Sequence, residues 1–297
     1  MASTQRSDLI YPEVLAEEVQ KGIASGLPVL AGSRAVVMNP GLQNGRGRVG
    51  SDIRVPYFNS IGKAQEIAEG GALTPKKLEQ SSESGTVVHL GDAISVNALA
   101  EAVRASGKDI YQIAREMLLS GLTAKIDDIL VARAAARAVA ASMVYDGSGA
   151  NVSATAIVGT MKKFGDELMR PAPALWLMTS GVTWDVAQLA DSTGRPLYTA
   201  NAGTAPAQIN NIPIAMSDKA DLNVSGTSPQ QYYSLLVKEG ALAAWLDGEG
   251  ISIEIDRDSL ADDTLLVYHV YGVFHAYGTM AGGTKAGVAA MKTLASA

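Results

Sequence analysis

The stretch KDIYQIAREMLLSGLTAKIDDILVARAAARAVAAS, residues 108–142, sets the scale of the fold. Its apolar residues recur at steps of three and four, the spacing of one face of an α-helix. An alanine-rich tail favours continuation of the helix, and Ser106 and Gly107 stand ahead of it as a start signal. About 35 residues at 1.5 Å each predict a rod roughly 50 Å long, more than a compact enzyme domain needs. The apolar face comprises Ile110, Ile113, Met117, Leu122, Ile126, Ile129 and Leu130.

Two strand patterns precede this helix. SDIRVPYFNS (51–60) alternates apolar and polar residues, and Pro56 indicates an edge strand because proline lacks the amide that an inner strand needs. TVVHLGDAISVN (86–97) is a second strand. The polar residues 61–83 between them form a longer connection than a compact domain carries without a use for it. We therefore predict a long β-hairpin.

Another hairpin is predicted near the C-terminus. ISIEIDRD (251–258) alternates cleanly, and TLLVYHVYGVFHAYG (264–278) follows a charged turn. His269 and His275 would share one strand face but lie roughly 20 Å apart. One metal ion needs its nitrogen ligands about 2.0–2.1 Å away, so this pair cannot chelate alone. The stretch is interpreted as a strand.

The residues between the helix and that hairpin read as an α/β unit. ALWLMTS (174–180) and NNIPIAMSD (210–218) are strand patterns, and residues 181–198 predict a helix that ends in a Gly-Arg-Pro turn. YYSLLVKEGALAAWL (232–246) predicts a strand followed by a small-residue segment. Residues 1–50 are punctuated by glycine and proline and predict a partly extended arm.

Composition excludes several classes of function. The chain has no cysteine, which removes disulfides and thiolate metal sites. No run approaches the 18 apolar residues of a membrane span, and the N-terminus has no apolar signal segment, so we expect a soluble protein made in a reducing compartment. Net charge is −6 without a basic stripe, which argues against tight nucleic-acid binding but leaves weak contact open.

The sequence contains no recognisable catalytic set of residues. GRGRVG (45–50) matches a dinucleotide pattern but leads into a strand instead of a helix. DRDSLADD (256–263) lacks the glycine and glutamate of an EF-hand loop and is interpreted as a charged turn, with calcium binding between subunits left open. Asp127 and Asp128 would point about 100° apart on a helix and share no site. We expect no enzyme, with no catalytic, cofactor-binding or metal-ligating residues.

The order of these segments resembles the major capsid protein of tailed bacteriophages, the Hong Kong 97 fold, which is mixed α/β. SDLIYPEVLAEEV (7–19) resembles its N-terminal arm, RVPYFN and VVHLGDAISVN its extended loop, and DIYQIAREMLLSGLTAKIDDILVA (109–132) its spine helix. Residues 176–198 and 236–276 resemble its axial domain and return strands. The resemblance implies an arm at 1–50, an extended loop at 51–97, an axial domain at 146–250, and a peripheral domain with the spine helix at 98–145 and 251–297.

A capsid resemblance implies self-assembly into hexamers and pentamers of an icosahedral phage head around double-stranded DNA. Scaffolding, portal and decoration proteins are further partners that it allows, and no membrane is involved. The location implied is the virion capsid, assembled in the cytoplasm of the bacterial host. The residues expected at contacts between subunits are Glu13, Glu17 and Glu18 on the arm, and Arg54, Lys63, Glu66, Glu69, Lys76 and Lys77 on the loop.

Two departures from some relatives are expected. The arm-like sequence starts by residue 8, so a separate scaffold or none is expected. Some relatives join a loop lysine to an asparagine of the peripheral domain. Residues 251–297 contain no asparagine, so we predict no such crosslink from Lys63, Lys76 or Lys77.

Three other readings stay open. The same fold could form an encapsulin-type compartment around a cargo enzyme. An α/β enzyme could hold a pocket within residues 146–250, and a tail subunit would build tubes or rings instead of closed shells.

Overall fold

The computed structural model describes residues 34–42, 49–58, 75, 80–97, 110–190, 194–199, 207–224, 226–227, 229–258, 263–280 and 283–294. The α-helices are α1 (Ile110–Ala140), α2 (Ala154–Lys162) and α3 (Ser180–Ala187). The strands are β1 (Val36–Leu42), β2 (Asp52–Phe58), β3 (Gln80–Asn97), β4 (Val144–Asn151), β5 (Pro173–Met178), β6 (Tyr198–Thr199), β7 (Gln208–Ile209), β8 (Ile212–Met216), β9 (Gln231–Lys238), β10 (Leu242–Asp258), β11 (Asp263–Ala276) and β12 (Val288–Leu294).

One sheet has five strands in the order β1-β10-β11-β3-β2. Strands β10 and β11 pair antiparallel from Leu242 opposite Ala276 to Asp258 opposite Asp263, which confirms the C-terminal hairpin. Strands β2 and β3 also pair antiparallel, and β2, which contains Pro56, is the edge strand as predicted. Strand β3 is longer than predicted, since it begins at Gln80 and not at Thr86.

The other sheet has seven strands in the order β4-β12-β9-β5-β8-β7-β6, a mixture of parallel and antiparallel pairs. Helices α2 and α3 cover it through a core that includes Ile157, Trp176 and Val182. The helix predicted over 181–198 ends at Ala187. The predicted small-residue segment is instead the buried start of β10, where alanine side chains let neighbouring layers approach closely.

Some strands cross the predicted segment boundaries. Strand β10 runs continuously through the predicted division at 250–251, and β12, from the 251–297 segment, pairs with β4 and β9. Within the predicted arm, β1 forms a parallel strand beside β10 and buries Leu42. Residues 36–42 of the predicted arm are therefore part of the five-stranded sheet. The four-part division into arm, loop, peripheral and axial domains stays a prediction.

Helix α1 confirms the long-helix prediction, and 31 residues give it a length of about 46 Å. It packs on β3 and β11 of the first sheet and on β9 and β12 of the second. Its buried face includes Leu118, Leu122 and Ile126. Met117 was predicted for this face but is 64% exposed, because the helix turns Leu118 inward instead. The helix thus ties both sheets to one core.

Candidate functional site: the hairpin stem and its junction with helix α1

Of the nine residues predicted at contacts between subunits, the structure describes only Arg54. Arg54 lies on β2 opposite Ser84, with its side chain exposed on the hairpin stem. Its role in subunit contacts stays a prediction. The remaining residues lie outside the described part of the chain: Glu13, Glu17, Glu18, Lys63, Glu66, Glu69, Lys76 and Lys77.

A small apolar core fixes the stem of the hairpin to the sheet. Val55 of β2, Val87 of β3 and Val273 of β11 pack together with Leu42 of β1. Each of the four side chains is buried. The edge hairpin is therefore anchored at its base by apolar contacts as well as by strand pairing.

Glu83 joins the hairpin stem to helix α1 and to the end of β11. Its Oε2 atom lies 2.8 Å from Nη2 of Arg137 and 2.8 Å from Nε2 of His275. The backbone amide of Gly278 donates to the same carboxylate at 3.0 Å. Arg137 also donates through Nε to the carbonyl oxygen of Ala276 at 2.8 Å. One carboxylate thus holds three separate segments of the chain.

Position 278 needs glycine for this arrangement. A Cβ atom there would lie 2.6 Å from Oε1 of Glu83 and 2.9 Å from Nη1 of Arg137. Real Cβ atoms do not approach other atoms so closely. A side chain at Gly278 would therefore push the carboxylate away from its partners.

The electrostatics of the junction favour an ionised Glu83. Burial opposes the charge, but the hydrogen bond from His275, the charge of Arg137 and the amide of Gly278 outweigh it and lower the pKa of Glu83. Burial, aided by the negative charge of Glu83, raises the pKa of Tyr277. The junction is therefore a partly buried ion pair between Glu83 and Arg137.

A cleft of about 340 Å³ lies beside this junction, between the hairpin stem and the second half of α1. Arg133 and Arg137 line one wall. The rest is lined by Asp52, Thr86, Phe274, His275 and several small residues. The Thr86 hydroxyl donates to Asp52 at 2.8 Å. The cleft is polar and open to solvent, and it resembles a contact surface for charged groups more than a substrate pocket.

A second ionic contact ties the seven-stranded sheet unit to the middle of α1. Nζ of Lys219 lies 3.0 Å from Oδ2 of Asp127 and also contacts Asp128 and the carbonyl of Ala124. The prediction that the two aspartates share no site is wrong, because the long lysine side chain reaches both carboxylates. Burial raises the pKa of Asp127, and the two carboxylates overcome burial to raise the pKa of Lys219.

A third polar cluster closes the loop before β12. Glu167 accepts hydrogen bonds from the amide and hydroxyl of Thr284 and from the amide of Lys285, at 2.8 to 3.1 Å. Nearby, the fully buried Lys238 donates to the carbonyl of Glu167 and lies 4.6 Å above the Phe164 ring. Burial lowers the pKa of Lys238. These contacts hold the loop before β12 in position.

Large apolar side chains remain exposed on the seven-stranded unit. Trp184 on α3 is 65% exposed and Met216 at the end of β8 is 56% exposed. Met169 is 70% exposed. Exposed tryptophan is unusual on a monomeric surface and is enriched where subunits meet.

The Glu83 junction could not be predicted from the sequence. Arg137 is 54 residues and His275 is 192 residues from Glu83, so no local spacing reveals the cluster. The one local hint in the sequence was a charged residue, Glu83, within a segment that forms part of strand β3.

In the described residues, no helix is long and apolar enough to cross a membrane, and no group of three or more potential ligands surrounds a metal position.

Comparisons with solved structures define the class of fold. The capsid of Ralstonia phage GP4 matches with a TM-score of 0.64 and 10% identity, covering 89% of this chain and 88% of that one. The capsid of an empty GTA particle matches at 0.61 and 14% identity, covering 91% of each chain. The holo-SrpI encapsulin complex from Synechococcus elongatus PCC 7942 matches at 0.62 and 10% identity, covering 99% of this chain and 93% of that one.

No protein-family model and no curated protein sequence matches the chain. At 10 to 14% identity the structural matches establish the fold, which is the fold of phage capsid proteins, as the sequence resemblance predicted. The mixed α/β architecture expected from the sequence is confirmed.

Proposed function

We propose that the chain is a major capsid protein, which self-assembles into the hexamers and pentamers of an icosahedral phage head around double-stranded DNA. The observation that carries the proposal is the match along 89% of the chain to the capsid of Ralstonia phage GP4. Sequence identity is too low to transfer function by itself. Two features of the described residues add support.

The hairpin stem provides the first support. Strand β3 is 18 residues long, of which 80–86 pair with β2 and 87–97 pair with β11. Strand β2 is the edge of the sheet. Because β2 is an edge strand, the pair of β2 and β3 lies at one side of the five-stranded sheet, where a hairpin can reach another subunit. The apolar core and the Glu83 junction keep its base in a defined direction.

Exposed apolar residues provide the second support. Trp184 and Met216 would be costly to leave in water on a monomer, and burying them between identical subunits removes that cost. Repeated contacts of this kind can each be weak and still give a firm shell, because a subunit makes several at once. Head-to-tail contacts between identical chains form rings when the rotation between subunits closes.

Expression of the full chain alone, followed by size-exclusion chromatography and negative-stain electron microscopy, tests the proposal. We expect closed polyhedral particles or free rings of five and six subunits. A chain that stays monomeric at high concentration, also in the presence of its scaffold, would overturn the proposal.

Contents of the purified shells distinguish a phage head from a cargo compartment. Particles recovered from phage-producing cells should contain double-stranded DNA protected from nuclease. A folded enzyme enclosed in place of DNA would identify an encapsulin-type compartment, and open tubes would identify a tail component.

A further inference from the structure

His89 and His269 face each other across strands β3 and β11. Nε2 of His89 lies 2.9 Å from Nδ1 of His269, and the ring centroids are 5.0 Å apart. Strand register explains the contact, because Tyr271 lies opposite His89 and Gly91 lies opposite His269. The two histidines are therefore diagonal neighbours on one face of the sheet. This pair is distinct from His269 and His275, whose separation along β11 excludes chelation.

The neighbouring residues leave space for the pair and orient it. A Cβ atom at Gly91 would lie only 3.0 Å from Nδ1 of His269, so the absence of a side chain at Gly91 leaves room for the His269 ring. The ring of His89 stacks on Tyr271 with centroids 4.4 Å apart and planes within 6°. His89 is exposed and His269 is half-buried. The two nitrogens are thus held together at a surface that solvent and ions can reach.

We propose that His89 and His269 together bind one divalent transition-metal ion of the Ni²⁺ or Cu²⁺ type. With metal–nitrogen bonds of about 2.0–2.1 Å, two nitrogens at their present separation subtend an angle of about 90° at the metal. That is the angle between adjacent ligands in tetragonal Cu²⁺ and Ni²⁺ sites. The tetrahedral geometry of Zn²⁺ would require the nitrogens to separate to roughly 3.4 Å.

Binding needs a lone pair on each facing nitrogen. A neutral imidazole carries one proton, which His89 can hold on Nδ1 and His269 on Nε2, leaving both facing nitrogens unprotonated. Rotations of the rings then direct the two lone pairs at one ion, which replaces the hydrogen bond between them. Because the described residues provide no group of three or more ligands here, water completes the coordination. The ion would link hairpin strand β3 to β11.

Isothermal titration of the EDTA-treated full chain with NiCl₂ tests the site. We expect one Ni²⁺ per chain in the wild type and a loss of affinity of roughly tenfold or more in both His89→Gln and His269→Gln, since each removes one of two linked ligands. Asp92→Asn is the matched control: Asp92 lies opposite Tyr268 on the other face of β3, and its substitution should leave Ni²⁺ binding unchanged.

A second readout identifies the ligands directly. Electron paramagnetic resonance of the chain with one equivalent of CuCl₂ should show coupling to two nitrogens, and to fewer in either variant. Circular dichroism verifies that the variants fold, and His89→Gln, at an exposed position, tests the site alone if His269→Gln does not fold. Absence of Ni²⁺ binding in the wild type, or equal binding in a folded His89→Gln chain, would overturn the proposal.

Discussion

Glu83 on strand β3 and Arg137 on helix α1 form a direct ion pair, with 2.8 Å between Oε2 and Nη2. This pair joins the edge hairpin to the longest helix of the fold. Because His275 and Gly278 bond to the same carboxylate, the hairpin cannot swing on its stem without breaking all of these contacts together. The junction fixes the stem of the hairpin relative to α1 and to the end of β11.

Substitution Glu83→Gln tests the strength of this junction. We expect the free energy of unfolding to fall by about 1–3 kcal/mol, because a neutral amide leaves the partly covered Arg137 charge without its partner. Denaturant unfolding of the unassembled chain measures the change. Glu239→Gln is the control, since its pair with Arg34 spans 4.0 Å at the surface and contributes little. Equal effects of the two substitutions would contradict the assignment.

Acid should weaken the same junction. The pKa of Glu83 is lowered below its ordinary value of 4.5 in the folded chain, so the unfolded chain binds the proton more readily. The stabilisation is therefore complete above about pH 4.5 and is lost as pH falls through the folded-state pKa. Denaturant unfolding between pH 6 and pH 3 should show a shallower loss of stability in Glu83→Gln than in the wild type. Parallel acid profiles would rule out a lowered Glu83 pKa.

Arg137→Lys tests whether geometry matters in addition to charge. Arginine donates to Glu83 and to the Ala276 carbonyl at once, and lysine, as a single ammonium, cannot reproduce that fork. We expect a loss of about 1–2 kcal/mol in stability and faster hydrogen exchange in the β3 amides. Arg133→Lys, on the exposed wall of the same cleft, should change neither quantity. Equal hydrogen-exchange protection of the β3 amides in Arg137→Lys and Arg133→Lys would show that a positive charge at position 137 is enough to hold the junction.

Lys219→Met should destabilise the contact between the seven-stranded unit and α1. The substitution leaves Asp127, which is 1% exposed, without its cation, at a cost of about 3 kcal/mol. Asp128→Asn should cost less than about 1 kcal/mol, because that side chain is 41% exposed and solvent screens its ion pair more than that of Asp127. Denaturant unfolding of Lys219→Met, Asp127→Asn and the double variant measures the coupling between the buried pair. If the losses in free energy of unfolding caused by Lys219→Met and Asp127→Asn simply add in the double variant, Lys219 and Asp127 do not interact.

The regular elements could be predicted because their information is local. Three- and four-residue spacing placed α1 within two residues at each end, and alternation in 251–258 placed a strand that is present within β10. Pro56 correctly identified an edge strand. Each of these signals lies within a single element and follows from backbone geometry.

Contacts between distant segments could not be predicted in this way. His89 and His269 are 180 residues apart, and their meeting depends on the register of β3 against β11. Lys219 brings Asp127 and Asp128 together although they diverge on the helix. Met117 satisfied the apolar spacing, but a small rotation of the helix put Leu118 in the core instead. Register and helix rotation are properties of the packed molecule.

Trp184→Ser tests the proposed assembly surface. Because Trp184 is 65% exposed on α3, its removal should change the free energy of unfolding of the isolated chain by no more than about 0.5 kcal/mol. A tryptophan buried at a subunit contact typically contributes 2 kcal/mol or more, so the threshold concentration for assembly should rise at least about tenfold. Light scattering against protein concentration, with electron microscopy of the products, measures that threshold. Trp184→Phe keeps an aromatic surface and should restore most of the assembly. An unchanged threshold in Trp184→Ser would place the contacts between subunits elsewhere on the chain.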